Sequence, residues 1–418
     1  MRLPGPTIGL LLILLAVSGS FGAAQERSPA ADPQRPADPG ASSGEEETSP
    51  ASEEPAEERD DEPLLPSVDF YFPEGQMDLK LQTLIKNAFY QGQVKYDFVD
   101  GDISAFLRYR YYGYSTIYQI GVFDAIEFPN LERRSNDFTR TRGGLLLLQW
   151  PHSLHSRTFL LAELDRYTSN AESFRFSTNR TNTYVRLGHQ IGTPNDRRSN
   201  AIVGESRAFS EELFTAYQKI GPGAFGLTGA LTYAFDGLGG EFRYVKSELE
   251  MVKRFETSRR TFLIGRLHAG NFLYSRPEEH DGQPPPDLEP FEEFNIPRPE
   301  FFSLDGRDRL RGLDGRFRGT EEIHSTWEFF TPWFLDADRR ALGLTWQDWY
   351  WVLYGGVGTI GFDDDVYGDF DEYIPDLGIG FESSVRLKNH TFFLAGIVAH
   401  ALHEEGGLEA HLSVKSYH

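Results

Sequence analysis

The sequence predicts an all-β chain, a transmembrane antiparallel β-barrel of sixteen strands behind a disordered N-terminal tether. Three observations carry this. Segments of about ten residues, the length a tilted strand needs to cross a bilayer, recur with one apolar and one charged face. Those apolar faces carry Tyr and Trp near their ends, as interfacial girdles do. And the chain opens with an export signal. Composition agrees: of 418 residues 14% are aromatic, with 33 Phe, 19 Tyr and 41 Gly, which suits strands more than helices. No stretch after residue 25 holds 18 consecutive apolar residues, so helical spans are excluded. The net charge of −22 argues against a nucleic-acid partner, because phosphates demand a basic surface. The absence of Cys excludes disulfides, thiolate metal sites, a Cys nucleophile and a lipid-modified N-terminal Cys.

Along the chain, Met1 and Arg2 precede an apolar run, Ile8 to Val17, and then the small residues Ser18 to Ala24. This is a signal-peptide pattern over residues 1–24, too short to span a bilayer as an anchor. Residues 25–66 hold 13 acidic residues, 3 Arg and 8 Pro, and lack aliphatic side chains before Leu64. Such a segment cannot bury enough apolar surface to offset chain entropy and predicts a mobile tether. In the pre-barrel segment 67–93, Met77, Leu81, Leu84, Ile85, Ala88 and Phe89 stand at helical spacing and predict a short amphipathic helix, with an edge strand as the competing reading.

The barrel is expected over 94–418. Candidate strands lie near 94–100, 103–112, 116–127, 139–149, 157–166, 181–191, 200–209, 213–220, 224–235, 241–255, 260–270, 321–331, 347–362, 375–388, 391–403 and 406–417. The alternation is plain where Ile103, Ala105, Leu107 and Tyr109 interleave with Arg108 and Arg110. It is equally plain where Leu408, Ala410, Leu412 and Val414 interleave with Glu409, His411, Ser413 and Lys415. Segments seven to nine alternate least clearly, and fourteen is the other even count. The long connections 271–320 and 363–374 follow odd strands, and the tight Lys388-Asn389-His390 turn follows an even one. Long loops at one rim and short turns at the other suit a bacterial barrel.

The 271–320 connection exceeds ordinary loops, and such loops are usually functional or disordered. Residues 304–319 read LDGRDRLRGLDGRFRG. This resembles the loop of the BamA/TamA-type outer-membrane assembly-factor superfamily, the bacterial surface antigen family, with Leu310-Arg311-Gly312-Leu313 at its (V/L)-R-G-(Y/F) core. Trp327-Glu328-Phe329-Phe330-Thr331-Pro332 resembles the next strand of that family, E-x-R-x-P, and Tyr354-Gly355-Gly356-Val357-Gly358 resembles F-x-D-x-G. Three positions depart: Gly356 replaces an Asp, Phe330 an Arg and Leu313 an aromatic. The POTRA modules of the larger members have no counterpart in residues 25–93, so the likeness is to a short, barrel-only branch. It implies that the loop folds into the lumen and that Arg311 pairs with a wall carboxylate. Glu328 shares a strand face with His324 and Thr326 and should point inward, so Arg311, Gly312 and Glu328 are expected to form a lock, with Glu328 carrying the pair alone. It further implies insertion or translocation of protein or hydrophobic cargo at the outer membrane. The partners implied are outer-membrane lipid and lipopolysaccharide, and a periplasmic partner or client protein. A passive solute channel and a barrel-embedded hydrolase are the alternatives.

Other constellations are weaker. His400 and His403 fall on opposite strand faces, so no metal site is expected there. Asp363, Asp364, Asp365, Asp369, Asp371 and Glu372 read as a solvated acidic loop. Gly204-Glu205-Ser206-Arg207-Ala208 half matches a nucleophile elbow but lies on a strand. No cofactor, metal or catalytic residue is expected.

Overall fold

The computed structural model describes residues 65–72, 76–85, 87–98, 103–113, 115–127, 139–153, 155–169, 179–192, 223–258, 260–275, 295–297, 300–304, 309–313, 317–335, 338–341, 344–362, 366, 372–387, 390–404 and 406–417. The signal peptide, the tether up to residue 64, the candidate strands 200–209 and 213–220, the half-matched elbow and most of the acidic loop lie outside them.

Among the described residues there are nineteen strands. β1 (Leu65–Phe72), β2 (Gln76–Ile85), β3 (Ala88–Asp97), β4 (Ile103–Tyr112), β5 (Ile117–Glu127), β6 (Thr139–Ser153), β7 (Ser156–Ser169), β8 (Asn179–Gly192), β9 (Phe225–Ala234), β10 (Tyr244–Glu256) and β11 (Phe262–Ser275) follow one another as antiparallel neighbours. The wall continues through β14 (Glu321–Phe334), β16 (Leu344–Gly361), β17 (Ile374–Leu387), β18 (His390–Ala401) and β19 (Leu408–Tyr417). β19 then pairs with β1 through Asp69↔Lys415 to Phe72↔Leu412, so the ladder returns to its first strand after sixteen. The remaining three are short. β12 (Phe302–Ser303) pairs with β13 (Arg318–Gly319) inside the long connection, and β15 (Arg339–Ala341) lies against β16.

Sixteen is the predicted number, reached with different members. The predicted helix over 77–89 is strand: β2, a turn at Asn87, and the start of β3. The reason is arithmetic. Met77, Leu81 and Ile85 are four apart, a spacing that serves one helix face and one strand face alike. Asp78, buried on the opposite side, breaks the tie. The wall therefore begins at Leu65 rather than at residue 94, adding two strands at the front. In the middle, β8 pairs with β9 directly, without the two candidate strands between them. The two changes cancel, and the parity of the loops survives.

Side chains alternate as the pleat requires. Leu107, Ile120, Val122, Leu146, Leu187, Leu231, Leu353, Ile379 and Val398 are exposed on the outer face. At the short-turn rim this band ends in aromatics. Tyr90, Tyr109 and Tyr118 form one cluster, with ring centroids 5.2 and 6.4 Å apart along it. Trp333, Trp349 and Trp351 form another, at 5.8 to 6.0 Å. Tyr233 and Tyr274 stand exposed toward the opposite rim. An apolar belt between aromatic girdles is the surface of a barrel that sits in a bilayer. The inner face carries Arg108, Arg110, Gln119, Gln149, Glu163, Arg266, Glu328 and Asp376, all buried. It also carries an apolar cluster, Phe106, Phe123, Leu145, Leu147, Phe159 and Leu161, which extends to Ile296 and Phe301 of the long connection.

Candidate functional site

The connection between β11 and β14 is anchored at its neck. The β12–β13 pairs Phe302↔Gly319 and Ser303↔Arg318 make a hairpin base, extended where the Leu304 N–H donates to the Phe317 carbonyl at 3.2 Å. Beyond that base the chain turns inward. Leu310, Arg311 and Leu313 are at most 2% exposed. Leu310 and Leu313 pack with Leu304, Ile374 and Ala401, so Leu313, where the resemblance expects an aromatic, is a buried anchor.

Arg311 and Glu328 meet as expected. The guanidinium Nη2 donates to Glu328 Oε1 at 2.6 Å. Glu328 does not carry the pair alone with Arg311, however. Its other oxygen, Oε2, accepts from Arg266 Nη1 of β11. One carboxylate thus bridges two buried guanidinium groups, one from the wall and one from the loop. The Arg311 guanidinium also lies 4.4 Å from the Tyr354 ring centroid, within cation–π range. Three backbone contacts fix the same turn. Tyr354 OH donates to the Arg309 carbonyl at 2.6 Å, His411 Nε2 lies 2.9 Å from the Arg311 carbonyl, and the Gly312 N–H donates to Asp376 Oδ2 at 3.0 Å.

Gly312 is required by space. A Cβ there would lie 2.2 Å from the backbone nitrogen of Ala401, which cannot move aside. Gly356, where the resemblance expects an Asp, leaves room for Leu310 and Tyr354: a Cβ would meet them at 2.8 and 2.7 Å. The missing acid is not lost from the wall. Asp376 sits directly across the β16–β17 ladder from Gly356 and holds the Gly312 N–H.

The connection is also held on the wall on the other side of β11. Asn295 Oδ1 accepts from Arg180 Nη2 of β8 at 2.8 Å, and the Glu300 carbonyl accepts from Lys246 Nζ of β10 at 3.0 Å. One segment is therefore held on β8 and β10 and the next on β14 to β19, so the connection crosses the interior. Sequence reasoning found Arg311, Gly312 and Glu328. It missed Arg266, Tyr354, Asp376, His411 and Arg180. The only advance signal for them was inward parity on their strands.

His400 and His403 do not form a joint site. His400 Nδ1 lies 3.0 Å from the Gly407 carbonyl, while His403 meets the Phe317 ring edge-on at 5.2 Å between centroids. The described part of the loop is a plug held by charge, hydrogen bonds and a small apolar cluster.

No protein-family description and no curated protein matches the chain. Solved structures do. BamA from Haemophilus ducreyi, in a form lacking POTRA domains 1–3, matches with a TM-score of 0.55 at 11% identity, over 84% of this chain and 69% of that one. CdiB from Escherichia coli matches with 0.52 at 13%, over 85% and 62%. CdiB from Acinetobacter baumannii matches with 0.50 at 11%, over 84% and 59%, so this chain spans under two thirds of either CdiB chain. At such identities the likeness is one of fold, and this chain has the β-barrel fold seen in BamA and CdiB.

Proposed function

We propose that the chain resides in the outer membrane, exported by its leader with the tether on the periplasmic side, and passes protein or hydrophobic cargo into or across that membrane. No catalytic step is part of this reading. The observation that carries it is the plug. A connection tied to two arcs of the inner wall, with buried Arg311 between Glu328 and Tyr354, suits a barrel closed at rest and opened by what it handles. A porin-like channel is the second reading, with the same loop as a gate.

Reconstitution separates the two. Purified barrel in vesicles should speed the insertion of an unfolded small outer-membrane barrel, and in planar bilayers it should rest at low conductance. Steady ohmic conductance and free sugar flux, with no effect on insertion of the client, would sink the transport reading and leave the channel.

A further inference from the structure

We propose that His268, Glu322 and His324 form a binding site for a divalent transition metal such as Zn²⁺ on the inner wall, and that the metal competes with Arg309 for Glu322. This does not rest on the transport reading. His268 and His324 are direct partners across the β11–β14 ladder, with ring centroids 5.3 Å apart and planes 30° from parallel. Glu322 lies two residues from His324 on the same inward face, fully buried. One donor atom from each of the three lies within 4.8 Å of the others. The His268 Nδ1 to Glu322 Oε2 separation is 3.6 Å, close to the roughly 3.4 Å between ligand atoms of a tetrahedral ion with bonds of about 2.1 Å.

Two further features point to a ligand. His268 Nδ1 is buried and makes no hydrogen bond among the described residues, although a neutral imidazole nitrogen offers either a proton or a lone pair. Glu248 of the neighbouring strand β10 is engaged by Arg186 at 3.0 Å and Lys246 at 3.5 Å, so Glu322 is the carboxylate that the cluster offers. Its partners are His324 Nδ1 at 2.6 Å and Arg309 Nη1 at 3.4 Å. Arg309 is half-buried and belongs to the loop, so its guanidinium can withdraw. His324 would shift its ring proton from Nδ1 to Nε2 and present the freed lone pair. Two imidazoles and one carboxylate then bind the ion, with the fourth position left to water. Because the Arg309 carbonyl is held by Tyr354 and the next residue is Leu310, losing Glu322 would loosen the plug beside its lock.

The test is calorimetric titration of ZnCl₂ into the folded full chain in detergent. One Zn²⁺ per chain should bind. H268Q and H324Q should each weaken it by about tenfold or more, since even losing a group that merely orients a ligand costs about 10–100-fold. R309A should tighten it, because the competing cation is gone, and H400Q should leave it unchanged. Heat-modifiable migration on gels reports that each variant is folded. If a histidine variant fails to fold, Co²⁺ absorption of the unaltered chain decides instead: a tetrahedral d–d spectrum, displaced by one equivalent of Zn²⁺, supports the site, and its absence overturns it. Binding that survives H268Q and H324Q together overturns the site, and binding unmoved by R309A overturns the competition.

Discussion

Glu328 bridges two guanidinium groups, Arg266 from the wall and Arg311 from the loop, and this sharing sets what each substitution does. Glu328→Ala takes the carboxylate from both Arg266 and Arg311 at once, and removing a buried pair's partner costs about 3–5 kcal/mol where water is excluded. Arg311→Ala leaves Glu328 with Arg266, so the barrel should lose much less stability while the loop loses its side-chain anchor. We expect the gel-shift unfolding midpoint to fall far more for Glu328→Ala than for Arg311→Ala, and both to raise open-state noise in planar bilayers. Equal midpoints would show that Arg266 does not share the carboxylate. Gly312→Ala removes no charge but drives a methyl into the backbone of Ala401. It should expel the turn, raising conductance as Arg311→Ala does with little change in the unfolding midpoint. An unaltered conductance would mean that the turn is not the plug. The Arg311–Glu328 contact was legible in the sequence because one loop motif and one strand parity suffice to name it. Arg266, Asp376 and His411 were not, because each becomes a partner only through the register between strands, which a single sequence does not print.

At the scale of the strand, period two was read correctly wherever charged and apolar residues alternate over ten positions, as in β4 and β19. It failed at β2, where apolar residues four apart satisfy both periods, and at β1, whose eight residues include Pro66 and are followed by Pro73. The alternation also predicts how depth matters. Leu146 faces outward midway along β6, and Tyr118 faces outward in the aromatic cluster at the short-turn rim. An Arg on the lipid face costs about 2–4 kcal/mol at the midplane and about 0–1 near the interfaces. Leu146→Arg should therefore lower the unfolding midpoint in lipid vesicles much more than Tyr118→Arg. Similar losses at both sites would remove the belt assigned here.

For the whole molecule the weakest join is between its first and last strands. The β1–β19 ladder runs over four residue pairs, whereas β1–β2 runs over seven and β18–β19 over ten. Since the chain has no Cys, a single engineered pair reports on this join without background. Tyr71→Cys with Ser413→Cys places the two at one register position. If cargo enters the membrane through the wall, oxidation should abolish client insertion, and dithiothreitol should restore it. Insertion that persists in the oxidised barrel would place the route through the lumen instead. The exchange at Gly356 carries a different lesson. The acid that holds the plug is twenty residues along the chain from where the motif expects it, yet one strand spacing away on the wall. The same contact can therefore be made from distant chain positions, because register brings residues twenty apart onto neighbouring strands. Such a constellation is to be sought by barrel coordinates, strand and height, rather than by letters in a row.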